Sequence, residues 1–365
     1  MLIKTEHTHK KIAIVELGGS HDECLLSQFY ALKQAGCITY FISTYDLWER
    51  NQELQKIVDH FYLIEFNKKS FADFLRLRAL NRYFCNQNIS KVIFNTAQGA
   101  HVRNLCLLAA KKIEYIGLIH TSKKFTESFT QKIIHRKIKK YFVLNDFFLE
   151  KITPPKGIEV RSFYPLRFPA FSIEIPKPEG EIWIVIIGGV ESRRKDLIGS
   201  IELMKTILHR NIQFIFLGKA DPNDGFIKEF KSSTLKVGLA SKIVLFDSFL
   251  TEDIFDAYLK KADFIWPMVH PETPSAKEYF KNQISGAMNI SFAYHIPMLV
   301  HELYSKTWLD LKYSFSYNLS SFAVDFDFAS ENRQKLVDQL KSEEKFNPEF
   351  QEAAYLDFLF QDENI

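Results

Sequence analysis

Short apolar runs recur along the first 150 positions, and the segments between them place their apolar residues at helical spacing. KIAIVEL (11–17) ends at Gly18-Gly19, which predicts a buried strand followed by a tight turn. Beyond the turn, Leu25, Leu26, Phe29 and Leu32 share one side of a helix that Gly36 stops. The alternation continues through ITYFIST (38–44), FYLIEF (61–66), a helix over 70–87 and KVIFNT (91–96). A helix over 99–111, YIGLIH (115–120), a basic helix around 126–140 and YFVLND (141–146) complete the half. Wholly apolar strands separated by amphipathic helices predict a parallel sheet covered on both faces.

The pattern breaks over 150–181, where Pro154, Pro155, Pro165, Pro169, Pro176 and Pro178 make up six of the chain's twelve prolines. It restarts at IWIVIIGG (182–189), which repeats the apolar-run-then-two-glycines signature of the first strand. A helix over 196–210, QFIFLG (213–218), a helix over 224–236, KIVLFDS (242–248), a helix over 251–261 and DFIWPM (263–268) follow. A helix around 282–294, IPMLVH (296–301), a weak strand near 313–317 and two helices from Ser330 to Gln361 end the chain. The expected fold is therefore α/β, with two doubly wound Rossmann-like domains facing a cleft. The first spans 1–165, the linker 166–181 and the second 182–345, and a C-terminal helix over 346–365 packs back toward the first domain. Ligands of such sheets bind beyond the carboxyl ends of the strands, where strand order reverses. Residues just past strand ends, facing the cleft between the domains, are the functional candidates.

Composition narrows the classes. Charged residues are 25% and hydrophobic residues 46%, which excludes a disordered or coiled-coil chain. The formal charge of +3 argues against a dedicated nucleic-acid binder. Cys24, Cys37, Cys85 and Cys106 lack metal-ligand spacing and read as reduced thiols. MLIKTEHTHKK has no apolar leader core, and no stretch is long enough to span a bilayer, so a cytoplasmic protein is expected.

Adjacent Gly18 and Gly19, followed by His21, fail the GxGxxG spacing, and no GxxxxGK[ST] occurs, so neither a dinucleotide nor a P-loop site is expected. The second glycine turn is richer. Gly188 and Gly189 are followed by Arg193, Arg194 and Lys195 before a helix, a combination suited to phosphate oxygens and a helix dipole. Ser285-Gly286 opens another helix and can offer amides to a diphosphate, with Lys281 before it. Glu272 and Glu278 are candidates for sugar or ribose hydroxyls. His120 closes a strand and suits acid–base chemistry, although a structural histidine is the plainer reading. Asn95, Gln98, His101 and Arg103 follow another strand end and, with Gly18, Gly19 and His21, are candidate acceptor-binding residues. Asp325 and Asp327 form a DxD that reads as ordinary strand alternation, so no metal site is expected. In QKIIHRKIKK, Lys132, His135, Arg136, Lys137, Lys139 and Lys140 surround isoleucines. This stretch reads either as a solvated helix face or as peripheral contact with an anionic membrane over 132–140.

The run IVIIGGVESRRKDL, QFIFLGKAD, KIVLFDS, DFIWPM and the SG–helix–HIPML block resembles the donor-binding domain of GT-B fold glycosyltransferases, in the class of sucrose-phosphate and glycogen synthases. That resemblance implies a metal-independent transferase without a cofactor, using a nucleotide-diphosphate sugar as donor and a carbohydrate or lipid-linked acceptor, in polysaccharide or glycoconjugate synthesis. It implies that Lys195 with Arg193 or Arg194 holds the donor diphosphate, that Ser285 and Gly286 present amides to it, and that His120 lies near the reacting sugar. The family's paired glutamates are missing: Asn282 and Ile290 stand at those positions, and Glu272 or Glu278 is the candidate substitute for one of them. Two other readings follow: a catalytically degenerate nucleotide- or partner-binding scaffold, and a nucleotide-sugar epimerase.

Overall fold

A computed structural model describes residues 7–19, 21–67, 70–307 and 309–361. The chain divides into two units, Met1–Phe168 with Pro348–Ile365, and Pro169–Asn347.

The first unit is built on strands β1 (Lys11–Val15), β2 (Ile38–Ser43), β3 (His60–Leu63), β4 (Lys91–Phe94), β5 (Glu114–Ile119), β6 (Lys140–Leu144) and β7 (Glu159–Phe163). Its helices are α1 (Leu25–Gln34), α2 (Tyr45–Arg50), α3 (Gln52–Ile57), α4 (Ser70–Asn86), α5 (Gly99–Leu108), α6 (Ser122–Glu127), α7 (Phe129–Lys137) and α8 (Asn145–Lys151). The strands form one parallel sheet in the order β3-β2-β1-β4-β5-β6-β7. β1 lies between β2 and β4, with Ile12 opposite both Thr39 and Lys91. Ile12, Ala13 and Ile14 are fully buried, as both faces of a central strand in a covered sheet require.

The second unit repeats the plan with β8 (Ile182–Ile187), β9 (Ile212–Lys219), β10 (Ile243–Phe246), β11 (Phe264–Ile265), β12 (Met298–His301) and β13 (Ser314–Tyr317). The helices are α9 (Leu197–Thr206), α10 (Gly225–Lys236), α11 (Glu252–Lys261), α12 (Ala276–Lys281), α13 (Gly286–Tyr294), α14 (Glu302–Ser305) and α15 (Phe322–Ser342). The sheet is again parallel, in the order β10-β9-β8-β11-β12-β13. Its core gathers Ile184, Ile186, Phe214, Phe216, Phe264 and Trp266 with Phe322 and Phe326 of α15.

The last helix, α16 (Pro348–Phe360), folds with the first unit. Tyr355 stacks on Phe142 at 4.5 Å between centroids and its hydroxyl donates to Gln28 Oε1 at 3.1 Å. Arg167 adds an ion pair to the buried Glu352 carboxylate at 2.8 Å.

Several sequence expectations change. The strand β7 lies within the proline-rich stretch and α8 runs into it; β7 forms at the sheet edge beside β6 because its five residues fall between Pro155 and Pro165 and include no proline, so every ladder N–H is present. Helices α2 and α3 were not expected, because each is only six residues long, too short for a periodic signal. The basic segment is not one helix. It breaks at Ser128, whose hydroxyl caps α7 by accepting from Gln131 N, and α7 ends at Lys137. The helix expected around 282–294 is α13, which starts at Gly286, and a separate short helix, α12, precedes it. Asp325 and Asp327 are not in a strand but in the first turns of α15. Asp325 accepts from Asn318 N and Ser321 Oγ, at 2.9 and 2.7 Å, and Asp327 pairs with Arg210.

Candidate functional site

Each sheet reverses its strand order once, between β1 and β4 in the first and between β8 and β11 in the second. Crevices beyond such reversals are where doubly wound sheets bind ligands. A polar cluster occupies each.

In the first unit the cluster grows from the ends of β1, β4 and β5. Glu16 is 1% exposed and would be costly there without partners. It has three: Oε1 accepts from Gly18 N at 2.8 Å, and Oε2 from Asn95 Nδ2 at 2.8 Å and Thr96 Oγ1 at 2.6 Å. Burial outweighs these bonds and holds its carboxyl above the usual range. A Cβ on Gly18 would fall 2.9 Å from Glu16 Oε1, so the first glycine turn admits the carboxylate itself. Asn95 Nδ2 also donates to His21 O at 2.8 Å, and Gln28 Nε2 donates to Asn95 Oδ1 at 2.7 Å. Through Gln28 and Tyr355, α16 therefore braces this end of the sheet.

His120, 6% exposed, donates Nε2–H to Asn95 O at 2.7 Å. A carbonyl can only accept, so the proton is fixed on Nε2 and Nδ1 carries the lone pair. That Nδ1 is buried without a protein partner. Burial first, then the neighbouring His21, lowers the His120 pKa to about 3. His21 stacks on it at 3.7 Å between centroids and 12° between planes. His21 has a left-handed backbone, φ +67°, uncommon for a residue with a side chain. Its Nδ1 lies 3.3 Å from Glu23 Oε1. Burial works against the charged ring, but the Glu23 bond and charge outweigh it and raise the His21 pKa. Burial likewise pushes the Glu23 carboxyl up, and His21 more than reverses this. The structure thus brings together Gly18, His21, Asn95 and His120 and adds Glu16 and Glu23. Gln98 precedes α5, His101 packs edge-on to Phe66 with burial lowering its pKa, and Arg103 bonds to Asn104. None of these three joins the cluster's hydrogen bonds. Gly19 O accepts from Arg50, which also pairs with Asp22.

His21, Glu23 and His120 offer ligand atoms within 4.8 Å of one another, a spacing compatible with a metal ion. Their chemistry would suit one, but the stacked rings direct their in-plane lone pairs side by side rather than onto one point. An ion would require His21 to leave the stack.

In the second unit the Gly188–Asp196 turn is organised around Lys195. Its side chain is 5% exposed, and Nζ donates to Gly189 O at 2.9 Å and Gly188 O at 3.3 Å. Burial, only partly countered by Glu191, lowers its pKa to about 8. The turn is narrow because Gly188 sits at φ +88° and Gly218 of β9 presses against it; a Cβ on Gly218 would lie 2.4 Å from Gly188 O. Arg193 and Arg194 are exposed and turn to Glu191, at 3.8 and 3.0 Å. The expected open start of α9 is capped by the Asp196 side chain, which accepts from Gly199 N at 2.9 Å.

Asp196 is held in turn by a buried relay with no recognisable signal in the sequence. Trp266 Nε1–H donates to the Tyr317 hydroxyl at 2.8 Å, that hydroxyl lies 2.6 Å from His270 Nε2, and His270 Nδ1 lies 2.8 Å from Asp196 Oδ2. An indole can only donate and a carboxylate can only accept. With one proton on the ring, His270 therefore carries it on Nδ1, and Tyr317 donates to Nε2. The His270 bond is the main cause of an Asp196 carboxyl held below the usual range.

Ser285 caps α13 through Ala287 N at 3.4 Å, as its position before the helix implied, and Gly286 is exposed at the helix start. Lys281, Glu272 and Glu278 are exposed, and Glu278 accepts from Asn282 at 2.9 Å.

No family model matches the chain, and no curated protein does. Solved structures do, over nearly the whole length. A glycosyltransferase from Rickettsia africae shares 13% identity, covering 97% of this chain and 98% of that one, with a TM-score of 0.68. The chain has the GT-B fold. A putative UDP-N-acetylglucosamine 2-epimerase from Listeria monocytogenes gives 11% identity, 98% coverage of both chains and a TM-score of 0.69. Anabaena Alr3699/HepE, solved in complex with UDP, gives 8%, 96% and 100% coverage, and 0.68.

Proposed function

We propose that the protein is a glycosyltransferase that takes a sugar from a nucleoside-diphosphate sugar, with the second domain holding the donor and the first the acceptor. The observation that carries this reading is Lys195. It is a buried lysine at the switch point whose hydrogen bonds go only to two carbonyls among the described residues, so its charge lacks a full counterpart. A diphosphate would supply that counterpart, and the fold's UDP-bound neighbour supports the choice. Lys195 would stabilise the charge that develops on the leaving diphosphate, assisted by the amide end of α13 at Ser285–Gly286.

In the first domain, His21 is a better proton acceptor than His120. Glu23 raises its pKa, whereas burial lowers that of His120 to about 3. With Nδ1–H turned to Glu23, His21 presents Nε2 to an acceptor hydroxyl, and His120 fixes the ring by stacking. The rival epimerase reading draws on the Listeria neighbour. The test is incubation with UDP-, GDP- and ADP-sugars, with and without a panel of sugar acceptors. Acceptor-dependent release of nucleoside diphosphate, lost in Lys195→Ala, supports transfer. Conversion of the sugar with no acceptor present overturns it in favour of epimerisation.

A further inference from the structure

Helices α4, α5 and α7 carry three successive crossovers of the first sheet, and α5 packs against both of the others. They form one side of the unit, and its outward positions are unusual. On α4, Phe71, Leu75, Arg78 and Arg82 stand at i, i+4, i+7 and i+11, a single stripe, and all are exposed. On α7, Phe129, Lys132 and Arg136 make a second exposed stripe at i, i+3 and i+7. Between them α5 carries exposed Leu107 in its last turn, followed by exposed Lys111 and Lys112. Phe71, Leu107 and Phe129 are 75%, 64% and 77% exposed, a heavy apolar load for a water-facing surface.

The charge on this side is one-signed. The three helices hold one acid, Asp73, which is buried and paired with Arg76. The outward Arg78, Arg82, Lys132 and Arg136 have no ion pair among the described residues. The whole chain balances 47 basic against 44 acidic residues, so this concentration is local. Lys137 and Lys140 do not contribute: one folds onto Ala110 O and the other is buried beside Glu114.

We infer that the α4–α5–α7 side docks on an anionic lipid surface, the cations meeting headgroup phosphates while Phe71, Leu107 and Phe129 enter the interfacial layer. Nucleic acid would match the cations, but Leu75 and Leu107 have no flat face on which a base can stack. The inference does not depend on the proposed reaction, since partition needs no turnover.

The test is co-sedimentation of the full chain with phosphatidylcholine vesicles containing or lacking phosphatidylglycerol, at low and high salt. Binding to the anionic vesicles alone, weakened by salt, is expected. Lys132→Gln/Arg136→Gln should weaken it roughly thirty-fold, at two charges near the surface. Phe129→Ser/Leu107→Ser should weaken it while leaving its salt slope unchanged. Lys228→Gln/Lys236→Gln, on exposed positions of α10, should leave it unaltered. All variants are checked for unchanged Tm. No preference for anionic vesicles, equal losses from the α10 variant, or Lys132- and Arg136-dependent binding to an oligonucleotide without vesicle binding would each overturn the inference.

Discussion

Lys195 makes nucleotide affinity depend on pH in a window that its burial defines. In the free protein its pKa is about 8, with Glu191 and Arg194 the charged groups acting on it. A diphosphate favours the protonated form, so affinity is full below about 8 and falls above it. If only the charged lysine binds, the competent fraction is about ten-elevenths one unit below the pKa and about one-eleventh one unit above it, a roughly tenfold loss of affinity between pH 7 and pH 9. The terminal phosphate of UDP ionises near 6 and does not change over this range. Folding responds with the opposite sign. The folded pKa lies below the 10.5 of an exposed lysine, so between about 8 and 10.5 the unfolded chain holds the extra proton. This group's contribution to stability therefore rises with pH while UDP affinity falls. Calorimetric titration with UDP from pH 6.5 to 9.5 reads the effect. Lys195→Arg, charged throughout, should flatten the profile, and Lys195→Met should bind weakly at every pH. A flat wild-type profile, or the same slope in Lys195→Arg, would refute the assignment.

Other consequences follow from the same geometry. Glu23→Gln should move the acid limb of the kcat/KM profile to lower pH by removing what raises His21, and His21→Ala should lower kcat about 100- to 10,000-fold; steady-state kinetics across pH reads both. Gly199→Ala should cost about 1 kcal/mol in chemical denaturation, because its Cβ would fall 2.2 Å from Asp196 Oδ2 and dislodge the α9 cap. Gly218→Ala should weaken UDP binding more than it lowers Tm, since its Cβ would displace the Gly188 carbonyl that holds Lys195. His270→Phe should release Asp196 and leave the Tyr317 hydroxyl without its acceptor, costing about 1–3 kcal/mol of stability.

The strand–helix alternation was legible because central strands buried on both faces read as unbroken apolar runs: KIAIV and IWIVII end at the two turns that matter. Elements with one exposed face or few residues escaped, as with β7, α2 and α3. At the site, residue type and position after a strand singled out Lys195, Ser285, His21 and His120, but partnership is a tertiary fact. Arg193 and Arg194 share a tripeptide with Lys195 yet face Glu191, because the turn buries only the third side chain. His270 reaches Asp196 across 74 positions, and Glu16 reaches Thr96 across 80, distances over which no local pattern carries information.

The proposed reaction breaks the bond between sugar and diphosphate in favour of an acceptor. Phosphorus and proton NMR of UDP-, GDP- and ADP-sugars, incubated with the protein and a panel of sugar acceptors, observes that bond directly. Release of one nucleoside diphosphate with a new glycosidic anomeric signal is expected, absent with Lys195→Ala. An intact diphosphate linkage with an inverted sugar carbon, or donors that bind and remain unconsumed with every acceptor, would contradict it.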